Sequence, residues 1–94
     1  MDKSEAKQLI AKELNEYRAK SYEEFILLID KASVTYELKG ANGVNYQIEI
    51  QAFWDNKKNG NVRVAGAIDD GGLRALAPFS DDFIKSPSGK YIGE

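Results

Sequence analysis

Cysteine and histidine are both absent from the 94-residue chain. Without cysteine there are no disulfides, no thiolate nucleophile and no cysteine-ligated zinc. Without histidine, the commonest metal ligand and the usual general base near neutral pH are missing, and a Ser-His-Asp arrangement is impossible. Long apolar runs are also lacking. The longest, Phe25 to Ile29, is five residues, far short of a bilayer span. The start Met1-Asp2-Lys3-Ser4-Glu5 is charged and carries no apolar segment of the secretory kind. The expectation is a cytoplasmic protein with no membrane partner.

Charge of one sign is lacking too. Residues 1–39 carry seven basic and eight acidic side chains, and the remainder six and seven. Neither half is a polyelectrolyte tail, which speaks against nucleic acid and anionic membranes as partners. No phosphate-binding glycine pattern occurs, neither Gly-x-Gly-x-x-Gly nor Gly-Lys-Ser/Thr. Hydrophobic residues nonetheless make up 43% and aromatics 11%, enough for the core of one small domain covering residues 1–94.

The strongest pattern present is an alternation. In Val44, Tyr46, Ile48, Ile50, Ala52 and Trp54 every second residue is apolar, with Asn45, Gln47, Glu49, Gln51 and Phe53 between. A polar turn, Asn56-Lys57-Lys58-Asn59-Gly60, precedes a second alternation through Val62, Val64, Gly66 and Ile68. Successive strand side chains point to opposite faces, so the pattern describes an antiparallel hairpin with one oily and one wet face. Val34, Tyr36 and Leu38 form an earlier strand, with turn chemistry in Gly40-Ala41-Asn42-Gly43.

Helical periods come first in the chain. Ala6, Ile10, Leu14 and Tyr17 recur at spacings of four, four and three, which predicts a helix over 3–18, capped by Asp2 or Ser4. Ser21-Tyr22-Glu23-Glu24 has capping-box spacing and starts a second helix at Tyr22, ending near Asp30 or Lys31, and this signal decides against the alternative of a strand through Phe25–Ile29. Its inner stripe is Tyr22, Phe25, Leu28 and Ile29; the additional Ile26 and Leu27 suggest burial on two sides. Helices followed by a meander of three or four strands predict a two-layer α+β domain, the helices packed on one sheet face.

Asp69-Asp70-Gly71-Gly72 reads as a two-residue hairpin loop. It would bring a strand Leu73–Ala77 beside the preceding one, with Pro78 ending it. Ser80 would cap one helical turn, Asp81-Asp82-Phe83-Ile84. Tyr91 and Ile92 add a short strand or an anchor.

Few residues suggest chemistry. Asp69, Asp70, Asp81 and Asp82 are the paired carboxylates that acid–base work or a cation would use, but turn and cap roles account for all four. Asp55 to Gly60 faintly echoes a calcium loop. Its third position is Lys57 and its twelfth Gly66, where ligands are needed, so no metal or other cofactor is expected.

The wet sheet face is the remaining candidate. If Trp54 pairs with Val62, Phe53 opposes Arg63, Gln51 opposes Ala65 and Glu49 opposes Ala67. The expected third strand sets Leu76 beside Ala65 and Arg74 beside Ala67. The candidate binding residues are therefore Glu49, Gln51, Phe53, Arg63, Arg74 and Leu76. Aromatics and arginine are favoured at interface hot spots. The expected function is a non-enzymatic protein-binding module, using this face or an edge strand for another protein or a second copy of itself. The alternative is a small-ligand-binding or enzymatic domain, with a pocket between helices and sheet and Asp69 or Asp82 as its active carboxylate.

Overall fold

The computed structural model describes residues 3–41, 43–71 and 79–93. Two helices, α1 (Lys3–Arg18) and α2 (Tyr22–Ile29), precede four strands: β1 (Val34–Lys39), β2 (Asn45–Trp54), β3 (Val62–Asp69) and β4 (Phe79–Lys85). The strands form one sheet in the order β1-β2-β3-β4, every neighbouring pair antiparallel. The fold is α+β in two layers, as the element order predicts.

α1 buries Ala6, Ile10 and Leu14, the predicted stripe. Ser4 lies inside this helix rather than at its cap, and Asp2 falls outside the described residues. α2 begins at a complete capping box. Ser21 Oγ accepts from the Glu24 N–H at 3.2 Å, and Glu24 Oε2 accepts from the Ser21 N–H at 2.7 Å. Two donors orphaned at the helix start are thereby satisfied. The same helix departs from expectation at Leu27, which is 66% exposed, so α2 is buried along one stripe centred on Phe25.

The core lies between the helices and the inward face of the sheet. Tyr46, Ile48, Ile50, Val62, Val64 and Ile68 are each at most 1% exposed, and Trp54 packs against them from the margin. Burying each large side chain contributes roughly 1.5–3 kcal/mol, which makes this face the main source of stability. The β2–β3 register pairs Trp54 with Val62 and Ile48 with Ile68, as the alternation predicts. Two polar side chains brace the layers. Tyr46 donates to Glu5 Oε1 at 2.8 Å, and Glu5 Oε2 accepts from the Ala41 N–H at 2.9 Å.

The segment after β3 corrects the sequence reading. β3 pairs along Val62–Ile68 with Lys85–Phe79, so that edge is occupied by β4. Leu73–Ala77 and Pro78 lie outside the described residues. Asp81, Asp82, Phe83 and Ile84 are strand, not a helical turn. A backbone there gains a whole ladder of sheet hydrogen bonds with β3, against the few that one helical turn supplies. The β3–β4 connection is correspondingly longer than two residues, although Gly71 does adopt a positive φ of 80° and donates its N–H to Asp69 Oδ1 at 2.8 Å.

β4 is anchored by its own end. Lys85 is only 9% exposed; its ammonium donates to the Lys20 carbonyl at 2.8 Å and stands over the Phe25 and Tyr91 rings at 5.4 and 5.2 Å. Phe83 meets Phe25 and Tyr91 edge-on, with centroids 5.7 and 5.9 Å apart. Tyr91 forms a bridge with Lys85 and donates its hydroxyl to the Arg18 carbonyl, making it the predicted anchor.

Candidate functional site

With both helices on one face, the other face of the sheet displays the alternate residues of each strand. The register sets them in rows. Phe53, Arg63 and Ile84 form one row; Gln51, Ala65 and Asp82 the next; then Thr35, Glu49, Ala67 and Ser80; then Glu37, Gln47 and Asp69. Among the described residues, no helix or strand covers these rows.

The structure brings together four of the six predicted residues. Glu49 and Gln51 are exposed on β2 and flank the small pair Ala67 and Ala65. Phe53 is 42% exposed beside Arg63. Arg74 and Leu76 lie outside the described residues, and the positions expected for them are filled. Ser80 stands opposite Ala67, and Asp82 opposite Ala65. The floor of two alanines is as expected, but its far wall is polar and acidic rather than apolar and basic.

Arg63 is held at the centre of an ion-pair network. Its Nε donates to Asp55 Oδ1 at 2.9 Å, with its Nη2 also 2.8 Å from that oxygen, while Nη1 donates to Asp82 Oδ2 at 2.6 Å. The hydrogen bonds to Asp82 and then Asp55 hold the guanidinium above its ordinary pKa. Its fork is thus occupied within the protein, and its stem lies between the apolar side chains of Phe53 and Ile84.

The face is therefore polarised. One end offers Phe53, Ile84 and the Arg63 stem. The middle is shallow over Ala65 and Ala67. Beyond it stand Glu49, Asp69 and Glu37, the last accepting from Gln47 Nε2 at 3.1 Å, and the final row is Lys39 and Asn45.

Sequence reasoning missed Ser80, Asp82 and Ile84. Phe79 and Phe83, four residues apart, fit a period of two as well as one near 3.6, and Ser-Asp-Asp between them mimics a helix start.

A groove of about 330 Å³ opens between the end of α1, α2 and the start of β1, bounded by Tyr17, Leu28 and Val34. No aspartate lines it, and Asp69 and Asp82 project from the opposite face of the sheet. Among the described residues, no three acidic side chains are gathered as a metal site, and no helix is long and apolar enough to cross a membrane. Compared with protein-family models, curated proteins and solved structures, the chain matches none.

Proposed function

We propose that the protein is a non-enzymatic protein-binding module that takes its partner on the open sheet face, or along the outer edge of β1. The observation that carries this reading is the exposed Phe53, beside the half-buried Ile84, adjoining a shallow alanine floor and then the Glu49, Asp69 and Glu37 carboxylates. A solvated sheet face needs no such ordering of apolar and acidic groups. The complementary partner is a segment with one apolar anchor and basic residues beyond it, supplied by another protein or by a second copy of this chain. β1 adds an open ladder of backbone donors and acceptors, because it lies at the end of the strand order.

Affinity capture with two variants tests the reading. Phe53→Ser removes the apolar anchor site, and Glu49→Lys reverses a charge among those carboxylates. Both positions are exposed, so folding, read by circular dichroism, stays intact. The expected result is loss of a partner that wild type and a Lys7→Glu control on α1 both retain. Retention of every partner by both sheet-face variants contradicts the reading.

A further inference from the structure

The groove beside α2 has a composition of its own. Its floor and walls are apolar: Leu28 and Val34 belong to the margin of the core, and Leu27 stands largely exposed at its side. Such an exposed leucine beside a concave apolar wall leaves hydrophobic area for a ligand to cover. Two ammonium groups and one carboxylate complete the lining, from Lys20, Lys31 and Glu24.

Those charges are not equivalent. Glu24 is occupied by the capping box, its Oε2 2.7 Å from the Ser21 N–H. Lys20 reaches over the Tyr17 ring at 5.6 Å, and among the described residues neither lysine has a carboxylate partner. Each lysine follows a helix end by two residues, where a cation also complements the helix dipole. That dipole role explains a lysine at each end; it does not explain why both line one apolar groove. Two cations against one carboxylate leave a single positive charge.

We infer that this groove binds a small monoanionic amphiphile, a carboxylate on an apolar body, with the body against Leu27, Leu28 and Val34 and the head between Lys20 and Lys31. The volume, about 330 Å³, sits at the small end of ligand pockets and suits one molecule rather than a lipid surface. Snorkelling lysine stems extend the apolar walls while their heads meet the carboxylate at the rim. The inference is independent of the sheet-face proposal, since the groove lies on the helix side.

Chemical-shift titration of the whole chain with decanoate, decanol and acetate tests it. Decanoate below its micellar concentration should bind saturably and shift Leu27, Leu28 and Val34. Decanol and acetate, each lacking one half of the chemistry, should bind at least roughly tenfold more weakly, decanol for want of the charge-assisted contact and acetate for want of the buried apolar body. A double variant, Lys20→Gln with Lys31→Gln, should keep its fold and bind decanoate no better than decanol. Leu27→Ser, also exposed, should weaken decanoate while leaving the response to acetate unchanged. The inference is overturned if decanoate and decanol bind alike to wild type, if the double variant keeps the preference, if saturable binding is absent, or if the shifts lie elsewhere. Vesicles of anionic lipid that shift the same residues as strongly as monomeric decanoate also overturn it.

Discussion

Ile10 of α1 lies directly over Gly66 of β3: a Cβ placed on that glycine would stand 2.9 Å from Ile10 Cδ1. Ile50 and Leu14 methyl groups close the same spot at 3.1 and 3.2 Å. The glycine thus occupies a core-facing position in an otherwise β-branched alternation where Ile10, Leu14 and Ile50 leave no room for a side chain. Replacing it with Val forces several buried side chains apart. Gly66→Val should destabilise the domain by about 1–3 kcal/mol, the usual cost of overpacking a close-packed core. Urea denaturation checks this, with a lowered midpoint and an unchanged slope as the expected outcome.

The second helix depends on its cap. Ser21→Ala removes the acceptor for the Glu24 N–H while leaving the inner stripe of α2 intact. The loss should be about 1 kcal/mol. Because Phe25 is fully buried and ties α2 to Phe83, the change should appear in the global transition and not only as local fraying. Thermal unfolding followed by both near- and far-ultraviolet circular dichroism should show the two signals shifting together.

These two helices and the β2–β3 hairpin were legible in the sequence because each rests on a local signal that nothing nonlocal overrides. Ser21 and Glu24 are three residues apart. Trp54 and Val62 are fixed by a turn whose closure, Asp55 N–H to the Asn61 carbonyl at 2.9 Å, completes the hairpin. β4 was hidden for the opposite reason. Its inward residues are Phe79, Asp81, Phe83 and Lys85, and only two of the four are apolar. Lys85 is buried because the Lys20 carbonyl and two aromatic rings receive its ammonium, partners 65 residues and less away that no local pattern reveals. The candidate face inherited the error on one side only. Its β2 and β3 residues were placed correctly, and its β4 wall had to be read from the structure.

The alkaline limit of stability should fall on Tyr36. Burial first, and then the hydrogen bond to Glu13 Oε1 at 2.7 Å, raise its pKa above the ordinary phenol value of 10.0. Tyr17 is raised as well, by burial and by the nearby Glu13 and Glu16 carboxylates. A raised folded-state value favours the protonated phenol in the native protein. The associated stability is fully present below pH 10.0 and is lost as the pH rises beyond it. Tyr36→Phe should therefore make stability fall less steeply with pH in the alkaline range. Urea midpoints measured across that range, alongside phenolate absorbance, provide the comparison.

Strand β3 alternates residue by residue, Val64 facing the core and Ala65 the open face proposed to take the partner. Parallel melting and capture of Val64→Ala and Ala65→Lys test this most directly. Val64 is fully buried, so Val64→Ala should lower the melting temperature yet keep its partner at temperatures where it remains folded. Ala65→Lys lies on the open face beside Gln51 and Asp82, so it should melt close to wild type and lose the partner. An Ala65→Lys protein that binds every wild-type partner with unchanged affinity contradicts the account.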